Sequence, residues 1–223
     1  MRWIVSTIIA LCMLSVAAQA QQTRPATRPV LAGDGKLPYL QFDSAKKQVR
    51  MECEAVNADM ALEFLVCVAG TSEHETVLRS RARPAHLHLA MIMAGFAAGE
   101  PMRFDRAKNK VIPPTGERLK LTCEFVRDGK RVRIPAYRLM RNVKTKAEMP
   151  ASCWVFAGSA TTPDGEYAAD IRGHLISVVN FPDSTIDVPE VKSSSNETLE
   201  WEVNRELAPP RDAKVWVVIE KAE

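Results

Sequence analysis

The residues best suited to chemistry are two histidines and a glutamate in the first half of the chain. His74 and Glu75 are adjacent and begin the segment HETVL, which lacks the second histidine of the zinc-protease motif H-E-x-x-H. His88 follows in a run of small and apolar residues. Two imidazoles and a carboxylate can bind a metal ion or transfer a proton. These three residues are therefore the candidate ligand or metal site, and the catalytic residues and the cofactor stay unassigned.

The alternative is a purely structural role for the same residues. His88 is then a core histidine with one satisfied ring nitrogen, and Glu75 caps a turn or pairs locally. His86 precedes His88 by two positions, which places the two rings about 200° apart on a helix, so they cannot bind one ion together. A short connection between strand and helix would bring His74, Glu75 and His88 within about 10 Å of one another.

The N-terminus has the pattern of a secretory signal peptide over residues 1–20. Arg2 precedes an apolar run, and Ala18-Gln19-Ala20 supplies the small-x-small pattern that signal peptidase recognises. The run is too short to span a bilayer. We therefore expect a soluble, periplasmic or extracellular protein that begins at Gln21 and has no stable membrane anchor. Residues 21–38 are expected to form a flexible leader, and residues 39–223 a single domain.

Export bears on the cysteines that remain after cleavage, because the compartment is oxidising. Cys53, Cys67, Cys123 and Cys153 allow three pairings, between which the sequence alone does not choose. Cys123 and Cys153 are the disulfide candidate, because both lie in predicted strands. No two of the four are closer than fourteen positions. An iron–sulfur cluster is therefore not expected, because it needs closely spaced cysteines.

Charge and motif patterns exclude two further classes of protein. The formal net charge is only +3, and the basic stretch 138–146 (RLMRNVKTK) is short and mixed, so no nucleic-acid partner is expected. Gly158-Ser159 is not a nucleophile elbow, which requires G-x-S-x-G, and a turn role is the better interpretation. Asp170 and Arg172 are interpreted as turn residues at an element boundary.

Local patterns predict an α+β fold, mainly antiparallel β-sheet with one principal buried helix. Residues 48–55 alternate as a half-buried strand, and Asn57-Ala58-Asp59 suggests a hairpin to a second strand at 60–69. Residues 84–95 form the helix, with Pro84 in its first turn, and it is expected to pack through Leu87, Met91 and Ile92. The other predicted strands are 118–126, 130–134, 153–157, 167–169, 174–180 and 213–220.

Several runs resemble the YdjY-domain family of exported bacterial proteins. They are Leu62-Glu63-Phe64-Leu65, Gly70, His74-Glu75, His88, Gly95, Trp154-Val155-Phe156-Ala157-Gly158-Ser159, Tyr167-Ala168-Ala169-Asp170 and Gly173. The resemblance extends over about residues 48–180, with a plausible tail through the last strand. It implies an exported protein and brings no particular reaction with it.

Three functions remain open on the sequence alone. A non-enzymatic binding or scaffold module is the leading hypothesis, since no complete catalytic constellation is present. A metal-dependent or acid/base enzyme using His74, Glu75 and His88 is the alternative. A thiol redox protein is the third and is weakened by the missing C-x-x-C.

Overall fold

The computed structural model of the protein describes residues 35–151 and 154–222. The predicted signal peptide and residues 21–34 of the predicted leader lie outside this range. The last residues of that leader coincide with a first short strand, Gly35–Leu37, which pairs with Leu40–Asp43. None of the helices in the described range is long and apolar enough to cross a membrane.

Two α-helices and fourteen strands are present in the described ranges. The helices are α1 (Pro84–Met93) and α2 (Ala168–Arg172). The strands are β1 (Gly35–Leu37), β2 (Leu40–Asp43), β3 (Gln48–Ala55), β4 (Phe64–Val68), β5 (Thr76–Ser80), β6 (Arg103–Asp105), β7 (Lys110–Ile112), β8 (Arg118–Arg127), β9 (Lys130–Pro135), β10 (Met140–Asn142), β11 (Trp154–Val155), β12 (His174–Ser177), β13 (Trp201–Val203) and β14 (Lys214–Lys221).

Ten of these strands form one mixed, mostly antiparallel sheet. Its order is β11-β8-β14-β3-β5-β4-β12, with β2 and then β1 attached beside β3, and β9 beside β8. The pairs β10–β13 and β6–β7 are separate two-stranded sheets. The predicted α+β class, dominated by antiparallel sheet with one principal helix, is confirmed.

Alternation along the central strands separates a buried face of the sheet from a polar one. In β3, Val49, Met51, Cys53 and Ala55 are buried while the residues between them are only half-buried. The same core includes buried residues of α1, so the helix covers the buried face. The opposite face of the sheet carries the polar residues of β3, β8 and β14.

One packing prediction and one secondary-structure prediction are wrong in detail. Leu87 and Met91 of α1 are fully buried as predicted, but Ile92 is 41% exposed, because it lies about 100° further around the helix than Met91. Residues 167–169 are not a strand, because Tyr167 makes only an isolated bridge with Thr161 and α2 begins at Ala168. Alanine favours helix, and the short run carries no alternation that would indicate a strand.

The predicted hairpin between residues 48–55 and 60–69 is also wrong. β5 lies between β3 and β4, antiparallel to the first and parallel to the second. Both Val56 and Asn57 donate backbone hydrogen bonds to Val77 O, so the expected turn is held against β5. The sequence of β4, FLVCV, has no alternation, which is typical of a strand buried on both faces.

Candidate functional site

His88 lies where α1 meets the segment 154–159 and α2. Its ring packs edge-on against Phe156, with the ring centroids 4.9 Å apart. Its Nδ1 lies 3.0 Å from the Tyr167 hydroxyl, which in turn lies 3.4 Å from the Thr185 hydroxyl. The His88 ring is therefore held by the aromatic contact with Phe156 and by a chain of two hydrogen bonds through Tyr167 to Thr185.

Gly158 is required at this place by the close approach of the histidine. A Cβ at this position would lie 2.9 Å from Cε1 of His88 and 3.3 Å from the Cβ of Ala98. The backbone of Gly158 also has a φ of +66°, a conformation that side-chain-bearing residues rarely adopt. The Gly-Ser run is therefore a close-packing and turn element, as the sequence suggested.

Ser159 and Asp170 link α2 to the segment 154–159 and to α1. The Ser159 hydroxyl accepts a hydrogen bond from the Ala169 N–H at 3.0 Å, at the start of α2. The Asp170 carboxylate accepts one from the Ala85 N–H at 2.8 Å and another from Arg83 at 2.6 Å. A residue of α2 thus caps the first turn of α1. We call the set His88, Phe156, Gly158, Ser159, Tyr167 and Asp170 the α1 junction.

The titratable side chains at the centre of the α1 junction are kept neutral by their surroundings. Burial lowers the pKa of His88, and it raises the pKa of Tyr167 to about 12. At neutral pH the pair is thus an imidazole bonded to a phenol. Ser159 is bonded to the backbone, so it has no activating base. This arrangement stabilises the contact between α1 and α2, and it contains no nucleophile paired with a base.

His74 and Glu75 lie in a different environment from His88. They belong to a short 3-10 turn, Glu73–Glu75, that directly precedes β5. His74 is exposed, with its Nε2 3.7 Å from Glu75 Oε2. β5 has five residues, or roughly 16 Å of extended chain, and lies between Glu75 and α1. The structure therefore brings His74 and Glu75 together but gives His88 other partners.

Glu75 has a second carboxylate beside it that the sequence did not indicate. Glu63 lies opposite Glu75 at the start of β4, and its N–H donates to Glu75 O at 3.0 Å. Burial and the neighbouring Glu75 carboxylate raise the pKa of Glu63 to about 7. Over residues 35–151 and 154–222, no group of three or more His, Cys, Asp or Glu side chains is arranged to hold a metal ion. His74, Glu75 and His88 are not grouped in this structure, and a role for them in binding a ligand or metal stays a prediction.

Cys53, Cys67 and Cys123 are buried, and none of the three forms a disulfide with another described cysteine. Burial raises the pKa of Cys67 to about 11 and of Cys123 to about 12. Such thiols are poor nucleophiles, since the thiolate is the reactive form. Cys153 lies outside the described residues, so its disulfide with Cys123 stays a prediction.

A cleft of about 540 Å³ lies over the polar face of the sheet. Trp216 of β14 is flanked by the buried residues Val215 and Val217, so its side chain is on the opposite, outward face. The Arg50 guanidinium and the Lys214 ammonium lie 5.3 and 5.6 Å from the Trp216 ring centroid. We call this the outer cleft; its lining residues are Arg50, Glu124, Phe125, Val126, Arg131, Val132, Arg133, Lys214 and Trp216.

The lining of the outer cleft is strongly unbalanced in charge. It contains four cationic side chains and one carboxylate, Glu124. That carboxylate contacts Arg50 at 2.7 Å and Arg133 at 3.3 Å. Arg131 is exposed and has no acidic partner among the residues that the structure describes. Lys214 lies 2.9 Å from Glu52 and Arg133 lies 3.4 Å from Glu220, so Arg131 supplies the unpaired positive charge of the cleft, which also contains an aromatic ring.

The outer cleft was not predicted from the sequence, because its lining residues come from four different strands. One indication was present in the segment AKVWVVIE, where alternation places a tryptophan on the polar face. A large aromatic side chain there has no core to fill. Apart from Lys214, the lining cations come from β3 and β9. Their proximity to the tryptophan depends on strand pairing that the sequence does not display.

Comparison with known proteins gives a family and no closer relative. No curated protein and no solved structure matches the chain. The model of the YdjY domain matches residues 40–220, which include every element from β2 to β13 and all of β14 except its last residue. The matched range also contains the whole α1 junction and the outer cleft. The chain therefore belongs to the YdjY domain family.

Proposed function

We propose that this protein is a non-enzymatic binding module that acts outside the cytoplasm and holds an anionic ligand in the outer cleft. The observation that carries the proposal is the lining of that cleft, with four cationic side chains around an outward-facing tryptophan and a single carboxylate. Export is supported by the signal-peptide pattern of residues 1–20.

The geometry of the cleft favours an anion with a flat or ring-shaped part. Arginine guanidinium groups bind carboxylates and phosphates through paired hydrogen bonds, and Arg131 has such donors free for a ligand. Trp216 offers an apolar surface next to them. An incoming anion would compete with Glu124 for Arg50 and Arg133, which Glu124 now holds at 2.7 and 3.3 Å.

The α1 junction supports a structural role for the family's sequence runs. Its histidine, serine and aspartate are each bonded to another part of the chain. Loss of such a group should lower stability and leave ligand affinity unchanged. This division assigns binding to the outer cleft and rigidity to the junction.

The test is titration calorimetry with hexagalacturonic acid as the anionic probe and uncharged maltohexaose as its neutral counterpart. We expect the anion alone to bind. Arg131→Glu should weaken binding about fivefold or more, as expected for reversal of a partly exposed charge. Trp216→Ala should weaken it further by removing the apolar surface.

Lys130→Glu is the matched control, because Lys130 is the exposed neighbour of Arg131 in β9 but does not line the cleft. It makes the same change in net charge and should alter affinity less than twofold. Equal affinities of wild type, Arg131→Glu and Trp216→Ala would exclude the outer cleft as the binding site. Equal binding of the neutral and acidic sugars would exclude an anionic ligand.

An acid/base enzyme is the second candidate, and the carboxyl pair Glu63–Glu75 is the observation in its favour. A carboxyl group with a pKa near 7 is suited to proton transfer at neutral pH. A cavity of about 360 Å³ beside the same 3-10 turn is lined by Glu73 and His74 but by neither of the paired carboxylates. We therefore rank this function second; catalysis lost in Glu63→Gln and retained in Trp216→Ala would reverse the order.

A further inference from the structure

A short hairpin stands apart from the main sheet and carries an unusual combination of side chains. β6 and β7 pair only with each other, with Phe104 opposite Val111 and Asp105 opposite Lys110. We call residues 103–112 the basic hairpin. It shares no residue with the outer cleft, so a role for the basic hairpin is independent of the function proposed above.

The basic hairpin has four cationic side chains and a single carboxylate. Asp105 accepts hydrogen bonds from the backbone N–H groups of Ala107 and Lys108, and its other oxygen lies 3.7 Å from Lys108 Nζ. The carboxylate is thus used within the turn. The three remaining cations, which have no ion-pair partner among the described residues, are Arg103, Arg106 and Lys110.

An aromatic ring is exposed in the same hairpin as these cations. Phe104 is 53% exposed. It lies on the same face of the hairpin as Val111, because residues directly opposite in an antiparallel pair share a face. Arg103 and Lys110 alternate with these two residues, so the basic hairpin is amphipathic, with an apolar face and a basic face.

We propose that the basic hairpin docks this protein reversibly onto an anionic phospholipid bilayer. Phe104 would enter the interface between headgroups and acyl chains, while the arginines and lysines contact lipid phosphates. A stable protein interface buries about 800 Å² on each partner, which far exceeds what one phenylalanine and one valine supply. A soluble polyanion would use the cations and leave Phe104 without a role. A lipid surface uses both features.

The expected affinity is modest and depends on charge. Each Lys or Arg near an anionic bilayer strengthens binding about fivefold, so removal of three should weaken it about a hundredfold. Partial burial of one phenylalanine should contribute about tenfold. Binding should weaken steeply as salt is raised, because exposed charges are screened.

The experiment is vesicle co-sedimentation of the protein recovered after export, with its N-terminus verified by mass spectrometry. The vesicles are phosphatidylcholine alone, or phosphatidylcholine with about 30% phosphatidylglycerol, which gives the negative surface that basic segments bind. We expect binding to the anionic vesicles only. Arg103→Gln/Arg106→Gln/Lys110→Gln should lose about a hundredfold in affinity and Phe104→Ser about tenfold. All variants share the same N-terminal segment, so differences between them arise in the basic hairpin.

Arg81→Gln/Lys130→Gln/Lys144→Gln is the matched control, since it removes three exposed cations elsewhere and should bind nearly as wild type. Phe104→Trp adds a direct measurement, because its fluorescence should be quenched by brominated lipid. Equal binding of the two triple variants would overturn the proposal. So would a Phe104→Ser protein that binds anionic vesicles as well as wild type, since charge alone would then carry the binding, as it would to polyphosphate.

Discussion

Replacement of Gly158 by alanine tests the geometry of the α1 junction directly. The alanine must adopt a φ of +66°, which costs a residue with a Cβ about 1–2 kcal/mol. Its Cβ would lie 2.9 Å from Cε1 of His88, whereas carbon atoms in contact are separated by about 3.5 Å. The imidazole must therefore move by about 0.6 Å, which strains the 3.0 Å hydrogen bond to Tyr167. Loss of that bond costs about 1 kcal/mol.

The free energy of unfolding should thus fall by about 2–3 kcal/mol in Gly158→Ala, measured by urea unfolding with tryptophan fluorescence. Gly165→Ala is the matched control, because Gly165 has a φ of +85° and nothing within 4 Å of a Cβ built there. It should lose only the part that comes from the backbone conformation.

A double-mutant cycle separates the contact from the backbone term. His88→Ala alone should cost about 1–3 kcal/mol, as expected for loss of a satisfied, partly buried polar group. In the His88→Ala background, Gly158→Ala should cost about 1 kcal/mol less than in the wild type, because the ring is no longer in the way. If Gly158→Ala costs no more than Gly165→Ala, or costs the same in both backgrounds, the proposed packing of His88 against Gly158 is refuted.

Two further predictions concern carboxylates that support the same region. Burial raises the pKa of Asp187 to about 7 despite hydrogen bonds from Ser177 and Val188, so the stability it contributes is complete below about pH 4 and is lost as the pH rises through 7. Urea unfolding should show wild type losing about 2–3 kcal/mol more than Asp187→Asn between about pH 5 and pH 8, and parallel pH profiles would contradict this. Asp170→Ala removes the cap of α1 and should lower the free energy of unfolding by about 1–2 kcal/mol. Arg83→Ala removes only the exposed ionic partner of Asp170 and should cost about 0.5 kcal/mol in thermal unfolding. Equal losses in the two variants would show that the cap is not the main contribution of Asp170.

Elements with a strong local pattern were predictable from the sequence. Strict alternation predicted β3 with the bounds that the structure has. Asp128-Gly129 predicted the β8–β9 hairpin, and both residues have the positive φ that such two-residue turns require. Pro84 predicted the first turn of α1. In each case the information lies within a few residues of the element itself.

Elements that depend on distant partners were not predictable in this way. β5 is five residues long, and its place between β3 and β4 is determined by pairing with both of them. The separation of His88 from His74 and Glu75 was missed for the same reason, since an unrecognised strand lies between Glu75 and the helix that carries His88. The cap that Asp170 provides joins residues 85 positions apart, so no local pattern of the chain indicates it.

The tryptophan and phenylalanine of the W-x-F-x-G-S run are buried, whereas the outer cleft lies on the polar face of the sheet. Trp154 is fully buried and donates its indole N–H to Ser177 O at 2.9 Å, and Phe156 is buried under His88. None of the residues of the α1 junction lines the outer cleft. On the function proposed above, the family's sequence runs specify how the chain folds, and ligand binding depends on residues of the polar strand faces. Family members that share the junction but differ at the positions of Arg131 and Trp216 should accordingly keep the fold and bind different ligands.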